Sequence, residues 1–398
     1  MPLPPRRWIL TSLLAVFMLL STAVATRHEV LADPTSTVGR DAEVGPDETP
    51  ETSHSDPQEW LAEKLENSHW AVLLLIMVFS IAALGKGADW LVEEAVEVSV
   101  RLGMPHVVIG ATVVSLGTTT PEAVVSVLAA MQGNPGIALG NSVGSIICDT
   151  GLILGLACLM APLPINRAVV NRQGWVQFGC GLLLVSACIP WSDPLSVFTS
   201  GSTLSQLWGF IFLGLLAAYM VWSIQLARGV PVAPEEQIQT KTHSTLFLLV
   251  RLFTAVAIVV VASWFLVGSA KVLAERWGVP EGIIAATLIA FGTSLPELII
   301  AVTAVRKGHG ELAIGNVVGA DILNVLFVAG AAAAVTPAGL DADVSFFQIQ
   351  FPAMLFILIV FRIGIWTARD DKLSRTLGVV LLGTYVLVTV ASYLVSVR

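Results

Sequence analysis

The sequence predicts an all-α polytopic membrane protein with ten transmembrane helices, arranged as two inverted five-helix repeats after an N-terminal signal peptide. Three observations predict this fold. Of the 398 residues, 55% are hydrophobic and 13% are charged, whereas a soluble domain has roughly 25% charged residues. Ten apolar segments follow residue 69, each near or above the roughly 20 residues that cross a bilayer as a helix. One sequence motif also occurs twice, at residues 110–151 and 285–326.

The first 25 residues have the pattern of a signal peptide. Arg6 and Arg7 form a positively charged start, an apolar run follows, and an A-x-A cleavage signal ends at Ala25. We expect cleavage there rather than retention as a membrane anchor. Residues 26–69 are mostly polar and offer little surface to bury, so they are predicted to form a disordered extracytoplasmic linker.

The predicted spans divide evenly around one polar segment. Residues 228–245 separate a first five-helix repeat, residues 70–227, from a second, residues 246–398, and are predicted to form a cytoplasmic loop. The ten spans are predicted at residues 70–98, 105–131, 136–160, 172–190, 205–227, 246–274, 281–305, 311–335, 345–365 and 374–396.

The distribution of Lys and Arg predicts the orientation of these spans. The loops that follow the odd-numbered spans contain twelve of these residues, and the other loops with the C-terminus contain three. The positive-inside rule places the first set in the cytoplasm and both mature termini outside the plasma (inner) membrane. Because each half has an odd number of spans, the second repeat enters the membrane from the opposite side, which is the arrangement of inverted transporter repeats.

The two copies of the motif align without a gap at a constant separation of 175 residues. Each copy places a glutamate within an apolar segment, where an unpaired charge costs several kcal/mol. A repeated intramembrane carboxylate beside a repeated helix breaker predicts an ion-binding site between two transporter halves. The matching residues are Gly117 and Gly292, Thr118 and Thr293, Pro121 and Pro296, Glu122 and Glu297, Gly140 and Gly315, Asn141 and Asn316, and Gly144 and Gly319.

Each copy joins a helix break to several oxygen atoms. Pro121 cannot donate a backbone hydrogen bond and clashes with the carbonyl of Gly117, so we expect that carbonyl to be available as a ligand. Thr118 and Glu122 are four residues apart and are predicted to share one helix face, with Ser115 one turn earlier. Such oxygen donors suit Na⁺ or Ca²⁺ and suit zinc or copper poorly. The second copy has Ala290, Thr293, Ser294 and Glu297 in the corresponding places.

The later part of each copy predicts one polar helix face. In the first copy this face contains Asn141, Ser145 and Asp149, and in the second it contains Asn316, Ala320 and Asn324. The alternative for a single Ser or Thr is a hydrogen bond to its own helix, and the repeated G-x-x-x-G glycines could serve only helix packing. Asp321 could face a neighbouring helix instead of the site. Four acidic residues near the end of the first span are predicted to form a solvated or interfacial face: Asp89, Glu93, Glu94 and Glu97.

The paired motifs G-T-[ST]-x-P-E and G-N-x-x-G resemble the two alpha repeats of the calcium/cation antiporter superfamily, and in particular its prokaryotic sodium/calcium exchangers. The resemblance covers about residues 70–398 and implies a Ca²⁺ site made by Glu122 and Glu297 with the carbonyls of Thr118 and Thr293. Asp149 would be the third carboxylate at this metal site. The resemblance also implies Na⁺ sites that use Ser115, Thr119, Ser145, Asp149, Ala290, Ser294 and Asn324.

This chain departs from the family pattern at two positions. Ile146 replaces an Asn that the family often has, and Ala320 removes a hydroxyl from one of the implied Na⁺ sites. The central Asp stands in the first copy, at Asp149, although exchangers of this kind can carry it in the second.

The sequence therefore predicts electrogenic antiport, in which Ca²⁺ leaves as Na⁺ enters by alternating access. A Ca²⁺/H⁺ antiporter on the same scaffold is the main alternative, and a passive channel is another. An intramembrane aspartyl protease would need a G-x-G-D element, which the sequence lacks. We expect no enzymatic activity, no cofactor besides the transported Ca²⁺ and Na⁺, and no obligate protein partner in the lipid bilayer. The sequence has no basic stripe of the kind that binds nucleic acid.

Overall fold

The computed structural model describes residues 64–227, 245–277 and 290–396, which are mostly helical. The predicted signal peptide lies outside the described residues, as do most of the predicted linker and of the predicted cytoplasmic loop. The helices are α1 (Trp70–Leu102), α2 (His106–Thr118), α3 (Thr120–Met131), α4 (Pro135–Met160), α5 (Arg167–Cys188), α6 (Gln206–Ala227), α7 (Thr245–Arg276), α8 (Ala290–Thr293), α9 (Leu295–Arg306), α10 (Gly310–Val335), α11 (Phe346–Thr367) and α12 (Arg375–Ser396).

Six helices within the described ranges are long and apolar enough to cross a bilayer, or seven if α2 and α3 form one bent span. The six are α1, α4, α6, α7, α10 and α11. Helix α5 is less apolar because it contains Asn171, Gln173 and Gln177, and the apolar part of α12, Arg375–Ala391, is shorter. The sequence-based count of ten spans therefore stays a prediction.

Helices α4 and α10 occupy the centre of the bundle. The most apolar stretches of these two helices are 72% and 83% buried, whereas those of α1 and α6 are 28% and 22% buried. Helices α1 and α7 are the longest and pack along each other. Large apolar side chains such as Phe79, Phe210 and Phe253 are exposed on α1, α6 and α7, as expected for helices that face lipid.

Among the described residues, four short strands lie in the loops of this otherwise helical protein. β1 (Leu163–Pro164) pairs antiparallel with β4 (Lys372–Leu373), and β2 (Ser202–Leu204) pairs antiparallel with β3 (Leu340–Ala342). β1 follows α4 and β4 precedes α12, while β3 follows α10 and β2 precedes α6. In each pairing, the strand that follows the central helix of one half of the chain pairs with the strand that precedes the last helix of the other half. The strand pairing provides hydrogen-bond partners for backbone N–H and C=O groups of these loops.

Both copies of the motif contain a helix break with the same backbone geometry. Thr119 separates α2 from α3 at φ −83° and ψ −5°, and Ser294 separates α8 from α9 at φ −85° and ψ 8°. Helices α2 and α3 meet at a bend of 43°. In each pair, the second helix has a proline in its first turn. Backbone N–H groups of a first turn make no intrahelical hydrogen bond, so the N–H that proline lacks is not needed there. The prediction that Thr118 and Glu122 share one helix face is therefore wrong.

Two central helices also widen locally into π-helix. The π segment of α4 is Cys148–Ile153, and that of α10 is Asn324–Ala329. These segments include Asp149 and Asn324, which the sequence analysis proposed as site residues. Single π turns within α-helices often occur at functional sites.

Candidate ion-binding site

The two motif glutamates occupy the first turns of the helices that follow the breaks. Glu122 lies in the first turn of α3 and Glu297 in the first turn of α9, and each is 1% exposed. Unpaired backbone N–H groups and the helix dipole at such an N-terminus favour negative charge. The break thus supplies a partial positive charge to two carboxylates that are buried from water.

Several buried oxygen atoms at the breaks and in the two π segments have no hydrogen-bond partner within the described part of the chain. An unpaired buried polar atom is uncommon in folded proteins and calls for an explanation. Their convergence fits a site that binds a cation through oxygen. They are Thr119 Oγ1, Thr293 Oγ1, Ser294 Oγ, one oxygen of Glu122, both oxygens of Glu297, Asp149 Oδ1 and Asn324 Oδ1.

The two copies of the motif meet crosswise. Glu297 lies beside the hydroxyls of Thr118 and Thr119, and Asp149 lies beside the hydroxyl of Ser294. These groups interact electrostatically without hydrogen bonds of ordinary geometry. Glu122 interacts electrostatically with Glu297 and with Asp149. Each copy therefore contributes polar side chains to the surroundings of the other, which the alignment of the copies alone does not reveal.

Hydrogen bonds between helices hold this arrangement in place. Asn324 Nδ2 lies 3.4 Å from Asp149 Oδ2, and the Ser142 hydroxyl donates to the carbonyl of Asn324. Asn141 Nδ2 lies 3.4 Å from the carbonyl of Glu122 and donates to Ser126 Oγ at 3.0 Å. Asn141 thus joins α4 to α3.

The remaining predicted site residues divide by what their side chains contact. Ser115 Oγ and Thr118 Oγ1 donate to carbonyls of their own helix at 3.4 and 3.3 Å, which is the alternative foreseen for single hydroxyls. Thr118 can still contribute its backbone carbonyl. Ser145 is 3% exposed and lies one turn before Asp149. Ala290 begins α8, and only its backbone is described.

The G-x-x-x-G glycines of the second copy bring α10 against α2. A Cβ atom at Gly315 would lie 2.2 Å from the carbonyl oxygen of Val107, and one at Gly319 would lie 2.4 Å from Ala111 Cα. A Cβ atom at Gly140 would lie 3.9 Å from Phe346, which is an ordinary contact. The packing role therefore holds for the second copy within the described residues.

The site does not resemble a cluster of classical metal ligands. Within the ranges that the structure describes, no three side chains of His, Cys, Asp or Glu converge closely enough to hold a metal ion. The predicted trio of carboxylates, Glu122, Glu297 and Asp149, does not form such a cluster by itself, so a cation bound here would need hydroxyl and carbonyl oxygens in addition to carboxylates.

Two features of the surroundings were missed or misread in the sequence. Glu94 is 3% exposed and forms a 2.7 Å ion pair with Arg251 of α7, so its assignment to a solvated face is wrong. Lys307, at the end of α9, binds Asp89 at 3.3 Å and Glu93 at 2.7 Å. The two ion pairs of Lys307 connect α1 with the end of α9, the helix that has Glu297 in its first turn. These ion pairs could not be predicted from the sequence because the paired residues are far apart in the chain.

Comparison with known proteins identifies the family. The family model described as sodium/calcium exchanger protein matches this chain twice, at residues 72–225 and 247–394. The chain belongs to the sodium/calcium exchanger family. This exchanger is similar to the sodium/calcium exchanger MaX1 of Methanosarcina acetivorans, with 31% identity over 79% of this chain and 97% of MaX1. It is also similar to the inner membrane protein YrbG of Escherichia coli, with 33% identity over 79% of this chain and 92% of YrbG.

A solved structure supports the same assignment. The sodium-calcium exchanger NCX_Mj, soaked with 10 mM Na⁺ and zero Ca²⁺, matches with a TM-score of 0.67 and 26% identity. The match covers 80% of this chain and 98% of NCX_Mj. The exchanger described here therefore has a helical polytopic membrane fold like that of NCX_Mj.

Proposed function

We propose that this exchanger moves Ca²⁺ out of the cell across the plasma (inner) membrane as Na⁺ enters, by alternating access. One observation carries the proposal: two buried glutamates, Glu122 and Glu297, interact at helix breaks that carry hydroxyls without hydrogen-bond partners. These hydroxyls belong to Thr119, Thr293 and Ser294. The names of MaX1 and NCX_Mj, both sodium/calcium exchangers, agree with this activity, which is transport and not enzymatic catalysis.

The proposed Ca²⁺ ligands are Glu122 and Glu297 with the backbone carbonyls of Thr118 and Thr293. Two carboxylates balance the charge of one Ca²⁺, and carbonyls are common Ca²⁺ ligands. The helix N-terminus at each glutamate places partial positive charge beside the carboxyl group. Carboxylates in the membrane interior still need neutralisation during transport, which makes return of an empty site unfavourable.

Na⁺ is proposed to bind to the same region and to compete with Ca²⁺ for its carboxylates. Asp149 contributes the third charge, so the site can be neutralised by more than one Na⁺. Competition couples the two cargoes because each conformational exchange requires one of them to be bound. The proposed Na⁺ ligands are Ser115, Thr119, Ser145, Asp149, Ala290, Ser294 and Asn324, with Ala290 contributing its backbone.

We further infer that residues 70–227 and 246–398 form two inverted five-helix repeats, joined by a cytoplasmic loop at 228–245. Two matches to one family model support this division, as do the two strand pairings that exchange the halves. The charge distribution of the loops supports placing both mature termini outside the cytoplasm.

Transport into proteoliposomes tests the coupling ion. Vesicles containing the full chain are loaded with Na⁺, and uptake of radiolabelled Ca²⁺ is measured when external Na⁺ is removed. We expect uptake with the Na⁺ gradient alone, and more uptake when the membrane potential is positive inside the vesicle, because exchange of more than two Na⁺ for one Ca²⁺ moves net positive charge outward. Parallel vesicles receive only a pH gradient. Uptake driven by the pH gradient alone would overturn Na⁺ coupling and favour the Ca²⁺/H⁺ alternative.

Two glutamine variants test the site with a matched control. Glu122→Gln and Glu297→Gln keep the shape of each side chain but remove its charge, and we expect each to lose Na⁺-driven Ca²⁺ uptake by about 100-fold or more. Glu66→Gln changes an exposed glutamate and serves as the control for loss of charge. Normal Ca²⁺ uptake by both site variants would reject these residues as the Ca²⁺ ligands.

A further inference from the structure

Asp321 is a fourth buried carboxylate, and it lies outside the symmetric set of site residues. It is 2% exposed within α10, the most buried of the six long apolar helices. Its counterpart in the first repeat is Ile146, so the pseudo-symmetry of the main site does not account for it. An acidic residue at this depth is costly unless something compensates its charge.

The contacts of Asp321 come from α4 and α5. Oδ2 accepts hydrogen bonds from the Thr150 hydroxyl and from the Gln177 amide. The Gln177 amide nitrogen also lies 3.1 Å from Thr150 Oγ1. Oδ1 has no hydrogen-bond partner within the described residues. In the same part of the chain, no Lys or Arg forms an ion pair with Asp321.

Thr150 and Asp149 are adjacent in the π segment of α4, yet their side chains contact different groups. Asp149 lies beside Ser294 and Asn324 at the main site, while Thr150 donates to Asp321. The π segment thus presents two consecutive polar residues to two neighbouring positions. The second position contains one carboxylate, one hydroxyl and one amide.

This donor set suits a monovalent cation. Ca²⁺ takes six to eight oxygen ligands and usually several carboxylates, whereas one carboxylate balances one Na⁺. Oδ1 of Asp321 has no hydrogen-bond partner within the described residues, so this oxygen is available to bind a cation. Rotation of the Gln177 amide would present its oxygen in place of its nitrogen.

Two adjacent differences between the repeats agree with this assignment. The first repeat has a hydroxyl at Ser145 followed by Ile146, and the second has Ala320 followed by Asp321. Compared with the first repeat, the second therefore lacks one hydroxyl that is a proposed Na⁺ ligand of the main site, and it has a carboxylate one residue later. A line of polar side chains also continues along α5, where Gln173 donates to Ser223 at 2.7 Å.

We propose that Asp321, Thr150 and Gln177 form a second Na⁺ site beside the main site. This inference rests on the proposed Na⁺/Ca²⁺ exchange. When this site is filled, it carries one Na⁺ of the transport cycle and compensates the Asp321 carboxylate. Because the site is separate from the two glutamates, its loss weakens the response to Na⁺ without removing Ca²⁺ binding.

The test compares Asp321→Asn, which removes the charge, with the wild-type exchanger. Two readouts are taken: the Na⁺ dependence of Ca²⁺ uptake, and the rise in Tm of purified protein on adding Na⁺ or Ca²⁺ separately. We expect the half-saturating Na⁺ concentration to rise roughly tenfold or more and the Hill coefficient for Na⁺ to fall by about one. The Na⁺-induced rise in Tm shrinks, and the Ca²⁺-induced rise stays within about twofold of wild type.

Thr150 provides a matched pair of variants. Thr150→Val keeps the shape without the oxygen and is expected to shift the Na⁺ dependence in the same direction, while Thr150→Ser keeps the hydroxyl and stays near wild type. These two Thr150 variants still test the second Na⁺ site if Asp321→Asn does not fold.

Three outcomes would overturn the second site. The first is an unchanged Na⁺ dependence in Asp321→Asn and Thr150→Val. The second is loss of the Ca²⁺-induced rise in Tm, which would place Asp321 in the Ca²⁺ site. The third is a change in pH dependence with normal Na⁺ binding, which would make it a proton site. Absence of Na⁺-driven uptake by the wild type would instead reject the proposed function. The comparison of the Na⁺-induced rise in Tm between wild type and Asp321→Asn would then still test whether the second Na⁺ site exists.

Discussion

Asn324 lies with its Nδ2 3.4 Å from Oδ2 of Asp149, and the two residues occupy equivalent positions of the repeats, 175 residues apart. Both belong to π segments of the two most buried apolar helices. The pair therefore stands where the two copies of the motif meet. It contains one carboxyl group and one amide, because one copy supplies an acid and the other an amide at the same place.

Exchanging the two side chains tests this relationship. Asp149→Asn removes the charge and is expected to reduce Na⁺-driven Ca²⁺ uptake about tenfold or more. Asn324→Asp places two acids side by side, where their mutual repulsion disfavours the ionised forms. The double variant restores one acid and one amide, so we expect it to recover part of the initial uptake rate. A double variant no better than the poorer single variant would contradict the equivalence of the two positions.

Thr119 and Thr120 predict opposite results for the same substitution. Thr119 Oγ1 is buried without a hydrogen-bond partner within the described residues, whereas Thr120 is exposed and donates to the carbonyl of Leu116 at 2.7 Å. We expect Thr119→Val to raise the half-saturating Na⁺ concentration by roughly tenfold, because it removes a proposed ligand oxygen. Thr120→Val is the control and should leave it nearly unchanged. Equal effects in Na⁺ titrations of Ca²⁺ uptake would remove Thr119 from the site.

Gly315 and Gly140 predict different costs for alanine. The added Cβ of Gly315→Ala would lie 2.2 Å from the carbonyl oxygen of Val107, and such overpacking typically costs about 1–3 kcal/mol. Gly140→Ala meets only an ordinary contact with Phe346, so the higher helix propensity of Ala leaves its stability equal or slightly raised. Thermal unfolding of the purified variants in detergent measures the difference. An equal Tm for both would mean that α2 and α10 can separate without cost.

The ion pair between Glu94 and Arg251 predicts non-additive stability. Arg251→Met removes the cation beside a carboxylate that is 4% exposed, and we expect a loss of about 2 kcal/mol. The loss is smaller than for a fully buried pair because Arg251 is 35% exposed. In Glu94→Gln/Arg251→Met the buried charge is gone as well, so its Tm should lie above that of Arg251→Met alone. A lower Tm for the double variant would show that Glu94 is stabilised mainly by other groups.

The main elements of the candidate site could be proposed from the sequence because they repeat. Glu122 and Glu297 each follow a proline within an apolar segment, and the cost of a buried charge makes that combination informative. The positions of α4 and α10 also follow closely from apolar length. The helix break could be expected from Pro121, but its place at Thr119 depends on proline being tolerated in the first turn of a new helix.

Pairwise contacts between distant residues could not be proposed in the same way. Asp321 and Gln177 are 144 residues apart, and no local pattern indicates that an amide of α5 reaches α10. The same holds for Glu94 and Arg251, which a reading of α1 alone assigns to a solvated face. In each case the partner is set by how helices pack, and helix packing depends on many side chains at once.

The sequence by itself determined which segments are apolar, which motif occurs twice and where the two motif glutamates lie, since hydropathy and local helix geometry act over a few residues. Only the tertiary structure decided which oxygens stay without hydrogen-bond partners. Thr118 donates within its own helix while Thr119 does not, although the two hydroxyls are adjacent and look alike in the sequence. The difference arises because hydrogen bonding and burial depend on the full surroundings of each atom, and those surroundings come from both repeats at once.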